Sequence, residues 1–386
     1  MADISVLIVD DSALMRNLIG RIIENTDGLT IADKAMNGRF ALQKLERCKP
    51  DIIILDLEMP EMGGLEFLQE RKRLGIDIPV IVLSSITISG AHVTMECLTA
   101  GASDFVTKPN GSSSLNIQDV AEELTEKIFA YGKKYQLKKY RGEHKEIPQG
   151  LQNQYSVNID KYKQQRRAEH KIKSSVSAQP RQHIQPLREH GAINLIAIGI
   201  STGGPNALRH VFAHLSGDIQ QPMLVVQHMP PGFTLEFANS LNKICPLEVK
   251  EASDGDILKQ GRILIAPGGK HILLERKSLA TVVRTTETAP ENGHRPSVDV
   301  LFRSVAELYQ NNSLAVIMTG MGKDGAQGIC EIYRQGSITL GQDESSSIVY
   351  GMPRVAYEMG GITEQVSLEN MAETINKYAL NNVLCN

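Results

Sequence analysis

The residues best equipped for chemistry fall into two groups. In the second half of the chain, the stretch IAIGISTGGPNAL sets Ser201 between a short apolar run, Leu195-Ile196-Ala197-Ile198, and a segment in which Ala207, Leu208, Val211 and Phe212 recur at helical spacing. A serine on such a strand-to-helix turn can be a nucleophile raised on a Gly-x-Ser-x-Gly elbow, here Gly199 to Gly203. The same turn can instead wrap backbone N–H groups around a phosphate. The pattern alone does not choose. A serine nucleophile needs a base within hydrogen-bond reach and an acid to orient that base. His228 follows the apolar run Met223 to Val226, and Asp324 follows Ala315 to Met318 through the turn Thr319-Gly320-Met321-Gly322-Lys323. In a parallel sheet, strand ends of this kind share one rim. The backbone N–H groups of Met321 and of Thr202, beside Ser201, are candidate donors to an oxyanion.

Other combinations stay open at this level. Asp254 or Asp256 with His271 or His294 would give the Ser, Asp, His chain order of the α/β-hydrolases. His210 and His214 stand at i,i+4, a spacing that can hold zinc, but no third ligand or HExxH pattern accompanies them. As a nucleotide cradle, the glycine-rich turn lacks both the GKS or GKT ending of a P-loop and the glycine spacing of a dinucleotide fingerprint.

The second group lies near the N-terminus. Asp10 and Asp11 close the first apolar strand, Asp56 closes the third, Ser84 ends the fourth, and Lys108 ends the fifth. Three crowded carboxylates repel one another unless a cation joins them, and an all-oxygen pocket suits Mg²⁺. One carboxylate could then attack a phosphoryl group while Lys108 and Ser84 reach the transferred oxygens. Helix caps or turn formers would explain a single such Asp, but not all five residues together.

These residues require two scaffolds. Short β-branched runs at Val6 to Val9, Ile52 to Leu55, Val80 to Leu83 and Phe105 to Thr107 read as strands buried on both faces, with helical spacing between them and a closing helix over Ile117 to Ile128. Leu195 to Ile198, Met223 to Val226, Ile263 to Ala266, Ala315 to Met318 and Ile338 to Leu340 read as a second such set. The expected fold is therefore two doubly wound, mainly parallel α/β domains, flavodoxin-like over residues 1–130 and Rossmann-like over 192–386. Between them, 131–191 reads as a polar basic linker: Lys133 to His190 carries 14 Lys and Arg against five Asp and Glu.

VDDS, LDLEMPEMGG, VLSS and FVTKP resemble the receiver domain of two-component response regulators at the family's spacing. That resemblance implies Asp56 as phospho-acceptor, with Asp10, Asp11, Asp56 and the carbonyl of Glu58 as metal ligands, and a histidine kinase as phosphodonor. ISTGGPNAL, QHMPPGFT, APGGKH, RPSVDVLFRSVA, MTGMGKDGAQG and DESSSIVYGMP resemble the catalytic domain of the chemotaxis protein-glutamate methylesterases. This second resemblance implies hydrolysis of methyl esters on chemoreceptor glutamates, deamidation of receptor glutamines, the triad Ser201, His228 and Asp324, and control by a receiver that covers the site until phosphorylated. Ile200 departs from the small residue common at its position in that family.

Bulk properties narrow the field. A formal net charge of -3 gives no global attraction to nucleic acid, and no helix-turn-helix appears after Gly191. A regulator whose second domain only binds protein or DNA is the main alternative. The five cysteines are widely spaced and include no Cys-x-x-Cys pair, which suits reduced thiols. No basic leader precedes the first strand and no apolar run approaches the ~20 residues of a membrane span, so a cytoplasmic protein that acts on membrane receptors without inserting is expected.

Overall fold

The computed structural model describes residues 3–108, 114–143 and 184–381. The chain divides into two compact units, Met1–Ala178 and Gln179–Asn386.

The first unit is built on five parallel strands: β1 (Ile4–Val9), β2 (Leu29–Ala35), β3 (Ile52–Asp56), β4 (Val80–Ser84) and β5 (Asp104–Thr107), in spatial order β2-β1-β3-β4-β5. This is the doubly wound order whose switch point lies between β1 and β3. Helices α1 (Ala13–Glu24), α2 (Gly38–Cys48), α3 (Gly64–Arg73), α4 (Ile88–Ala100) and α5 (Ser114–Glu143) connect and close it. Short polar caps start several of them: Ser12, Asn37 and Thr87 each accept from a backbone N–H three residues on. Strands β3 and β4 are buried throughout, as their aliphatic runs require.

The closing helix is longer than its aliphatic spacing suggests. It runs past residue 130 to Glu143. Tyr131 is buried and donates its hydroxyl to the Ser103 carbonyl (2.8 Å) and Asp104 Oδ2 (3.1 Å), while Gln136 Nε2 donates to Asp51 Oδ2 at 2.8 Å. The Lys- and Gln-rich texture that reads as linker after 130 thus continues a helix docked by a few spaced residues, with 138–140 exposed. Residues 144–183, most of the expected linker, lie outside the described residues.

The second unit holds seven parallel strands in the order β14-β13-β12-β6-β7-β9-β8: β6 (Leu195–Ile200), β7 (Met223–Gln227), β8 (Glu248–Glu251), β9 (Arg262–Ile265), β12 (Ser313–Ile317), β13 (Ile338–Gln342) and β14 (Glu364–Val366). An antiparallel hairpin, β10 (His271–Arg276) with β11 (Thr281–Thr286), stands apart from that sheet. The helices are α6 (Gly204–Phe212), α7 (Phe233–Asn242), α8 (Val298–Tyr309), α9 (Ala326–Gln335), α10 (Met352–Glu358) and α11 (Leu368–Asn381). After β6 the chain builds outward through β7, β8 and β9, then returns to lay β12 on the other side of β6. The switch point is therefore between β6 and β12, where open α/β sheets leave a crevice at the carboxyl ends. Leu195, Ala197, Ala315 and Ile317 of these strands share one core cluster with Val298, Phe302 and Ile329 from the covering helices. No helix among the described residues is long and apolar enough to cross a membrane.

Candidate active site and phospho-acceptor site

At the carboxyl edge of the first sheet, Asp10, Asp11 and Asp56 each bring a carboxylate oxygen within 4.8 Å of the others. Lys108 Nζ lies 2.7 Å from Asp56 Oδ1 and 3.6 Å from Asp10 Oδ2. Asp10 is fully buried; Ser12 N–H donates to its Oδ1 at 2.8 Å, while its Oδ2 accepts no hydrogen bond. Burial first, then the charge of Asp56, pushes Asp10 up to about 6, against the pull of Lys108. A buried carboxylate oxygen without a donor, facing two more carboxylates, fits a hard divalent cation. Glu58 lies two residues beyond Asp56, in the turn that leads to α3, with its side chain exposed. Ser84 ends β4 in the same row but turns its hydroxyl inward: it approaches the Ser85 and Gly90 carbonyls at 3.3 Å and accepts from Thr94 Oγ1 at 2.7 Å. A fully buried hydroxyl takes the partners at hand, here those of the first turns of α4.

At the switch point of the second sheet, three strand ends deliver an alcohol, an imidazole and a carboxylate to one another. Ser201 follows β6, and its N–H donates to the Thr319 carbonyl at 3.0 Å, tying the elbow to the end of β12. Pro205 near the start of α6 suits a helix that must begin directly after the turn. His228 follows β7, with its N–H on the Ile200 carbonyl. Its Nδ1 lies 3.0 Å from Ser201 Oγ and its Nε2 2.8 Å from Asp324 Oδ2. Ile200 is fully buried and does not crowd the turn apart. Gln227, also buried, donates its side-chain amide to the carbonyls of Ser201 (3.1 Å) and His228 (3.0 Å), bracing the two segments.

Asp324 is 1% exposed, so its charge must be met by donors. Val298 N–H gives to Oδ2 at 2.7 Å; Ser297 Oγ (2.7 Å), Asn292 Nδ2 (3.0 Å) and Asp299 N–H (3.2 Å) give to Oδ1. Burial opposes its ionisation, but the hydrogen bond and charge of His228 with the donors from Ser297 and Val298 outweigh it, and the carboxyl is held well below the usual range. This carboxylate is therefore a fixed anion.

Neither Thr202 nor Met321 gives its backbone N–H to an acceptor among the described residues. Gly320 brings the Met321 peptide close: a Cβ on Gly320 would stand 2.8 Å from the Ser201 Cβ, so only glycine permits this approach.

The alternative partners go elsewhere. Asp254 pairs with Arg284 and Asp256 with Lys250. His271 is wholly buried, with Nε2 on the Ala289 carbonyl (3.2 Å) and Nδ1 accepting from Ser297 N–H (3.1 Å). His210 and His214 sit one turn apart, and the described residues contain no metal-ligating group other than the Asp10, Asp11, Asp56 cluster. His294 does reach the site, but by its face: its ring stacks on His228 with centroids 3.7 Å apart and planes 14° from parallel. Burial first, then the nearby His228, pushes His294 down to about 4, only partly offset by Asp324.

The segment that organises all this runs from Asn292 to Asp299, and of its residues only His294 is a candidate for chemistry from the sequence. Asn292, Ser297, Val298 and Asp299 all donate to Asp324, and His294 covers His228. The legible signal was Asn292-Gly293, the strongest short hairpin-turn dipeptide. Both residues have positive φ (53° and 84°), and Glu291 and His294 bridge across them; a glycine at 293 is what that turn requires.

The fold and these two sites define a class: a phospho-accepting receiver unit joined to an α/β unit with a hydrolase-type triad. Comparison with known proteins agrees. Residues 6–118 match the response regulator receiver domain and residues 196–375 match the CheB methylesterase domain. A protein-glutamate methylesterase/protein-glutamine glutaminase of Treponema denticola is 60% identical over 98% of this chain and 99% of the relative. One of Treponema pallidum is 54% identical over 97% of each. The solved CheB methylesterase catalytic domain of Thermotoga maritima is 35% identical over 48% of this chain and 98% of that structure, with a TM-score of 0.47. The chain belongs to the CheB methylesterase family, in the form that carries a receiver domain ahead of the esterase domain.

Proposed function

We propose that this chain demethylates glutamate methyl esters on chemoreceptors and deamidates receptor glutamines, with Ser201 as nucleophile, His228 as general base and Asp324 as its orienting acid, under control of phosphorylation at Asp56. The observation that carries this reading is the placement of one imidazole 3.0 Å from Ser201 Oγ and 2.8 Å from Asp324 Oδ2.

In the reaction, His228 Nδ1 takes the Ser201 proton as Oγ attacks the ester carbonyl. Nε2–H stays on Asp324, whose fixed charge stabilises the imidazolium that forms. The N–H groups of Thr202 and Met321 receive the oxyanion. Collapse breaks the bond to the methoxy group, which leaves as methanol with the proton from Nδ1. Water then gives its proton to the same nitrogen as it attacks the acyl-serine; the acyl–Oγ bond breaks, Nδ1 returns the proton to Ser201 Oγ, and the glutamate acid is released. With a glutamine side chain the leaving group is ammonia and the other steps are unchanged.

In the receiver, Asp10, Asp11, Asp56 and the Glu58 carbonyl would hold Mg²⁺, which supplies charge neutralisation for phosphoryl transfer when bound. A histidine kinase is the donor. Asp56 is the acceptor, and Lys108, 2.7 Å from it, would neutralise part of the added charge. Ser84 would have to release its partners in α4 to reach the phosphoryl group. The unphosphorylated receiver restrains the esterase unit and phosphorylation relieves that restraint.

A fluorophosphonate serine probe tests the assignment: one label is expected per chain, at Ser201. Labelling at another serine, or none in folded protein, would refute it.

A further inference from the structure

The turn at Asn292-Gly293 places groups against two members of the triad at once. Asn292 Nδ2 donates to Asp324 Oδ1 at 3.0 Å and to the second buried carboxylate, Asp299 Oδ2, at 2.8 Å. Two residues on, the His294 ring lies flat against His228 at 3.7 Å. The turn is clamped: its two ends exchange backbone hydrogen bonds (3.0 and 3.1 Å), and Glu291 forms a two-pronged ion pair with Arg303 of α8 (2.5 and 2.6 Å). Such a clamp makes His294 a fixed wall. Among the described residues its ring nitrogens make no hydrogen bond, and neither lies on a proton path between Ser201 and Asp324. What the ring supplies to the site is its plane.

The His228 ring can still turn about its Cβ–Cγ bond. Each such turn carries Nδ1 out of line with the Ser201 hydroxyl and Nε2–H out of line with the Asp324 carboxylate. A flat aromatic surface against one face removes that freedom. We propose that His294 is a positioning residue for the hydrolysis: an aromatic plate that keeps the His228 ring in the plane joining Ser201 Oγ to Asp324 Oδ2. The inference rests on the triad reading above. His294 does not exchange protons with substrate, and any flat neutral ring should replace it.

The experiment compares the full chain with its His294→Phe, His294→Leu, His294→Ala and His228→Ala variants. Its readouts are the rate of fluorophosphonate labelling at Ser201 and the pH dependence of methanol release from methylated receptor membranes. Leu fills the space without the plane. We expect His294→Leu and His294→Ala to label about three- to ten-fold more slowly and to lose kcat with KM unchanged. His294→Phe should stay within about two-fold of the parent, with the acid limb of its pH profile unmoved. Thermal melting and phosphoryl uptake at Asp56 confirm that each variant is folded, and the Phe against Leu comparison decides the matter if Ala is not. The proposal is overturned if Leu performs as well as Phe, if Ala matches the parent, or if Phe is as slow as Leu, since that last result would mean the His294 nitrogens are needed. Full activity in His228→Ala would instead overturn the triad reading, a separate outcome.

Discussion

His228 Nε2 lies 2.8 Å from Asp324 Oδ2, although the two residues are 96 apart in the chain. The approach depends on the switch point: β12 returns beside β6, so the turn after it faces the end of β7. Asp324 meets the imidazole with an oxygen that also accepts from Val298, while its other oxygen is filled by Ser297, Asn292 and Asp299. Asp324→Asn would turn an amide N–H₂ toward donors that require acceptors. We predict that kcat falls on the order of 10³- to 10⁴-fold with little change in KM, measured as steady-state ester hydrolysis.

The stacked histidine should leave its mark on stability. His294 titrates at about 4 in the folded protein, against ~6.5 for the unfolded residue. Between those values the unfolded chain binds more protons than the folded one, so this group's contribution is intact above about pH 6.5 and is lost as pH falls toward 4. Asp324, depressed likewise, adds loss of the same sign at still lower pH. His294→Phe should therefore show a shallower fall of the esterase unit's melting temperature between pH 6.5 and 4.5 than the parent does. Parallel slopes would contradict the assignment.

The extended closing helix has an energetic consequence for the first unit. Lys127 is buried beside Asp104 (3.1 Å), which also accepts from the Tyr131 hydroxyl. Burial would lower the Lys127 pKa, but Asp104 and Glu123 override it and raise it, so the ammonium stays charged. Asp104→Ala leaves that cation to Glu123 (2.9 Å) and the Phe105 carbonyl and removes one acceptor of the Tyr131 hydroxyl, and should destabilise the receiver by about 1–3 kcal/mol. Urea titration followed by a probe in the first unit measures this; a loss below about 1 kcal/mol would show that α5 is not anchored there.

Control by the receiver is tested by Asp56→Asn. Phosphoryl uptake from a small phosphodonor should vanish and stimulation of the esterase with it, while basal hydrolysis persists. Deleting residues 1–143 should raise basal hydrolysis; a well-folded fragment with an unchanged rate would argue against restraint.

Much of this was readable in the residues, and the exceptions share a physical cause. Ser201, His228 and Asp324 were legible because each follows an unbroken aliphatic run, and β6, β7 and β12 are central strands buried on both faces. Of the four edge strands of the two parallel sheets only β5 has such a run; β2 (LTIADKA), β8 (EVKE) and β14 (EQV) carry charge at exposed or half-buried positions and are absent from the expected strands. The helix beyond residue 130 was hidden because Tyr131 and Gln136 dock it by hydrogen bonds rather than by an apolar stripe. Asn292 escaped notice as a site residue, and His294, weighed as a base, stands instead as a stacked ring, because a turn gives no periodicity to show what its side chains will touch. Ser84 stands on the expected strand end, but the direction of a hydroxyl follows from the packing of α4, which spacing does not encode.

The most direct test of the whole account is methanol release from methylated chemoreceptor membranes by the full chain and by Ser201→Ala, each with and without a phosphodonor. The account predicts release by the parent, faster with phosphodonor, and none above background from Ser201→Ala, although Asp56 in that variant still takes up phosphoryl groups. Normal release by folded Ser201→Ala would contradict it.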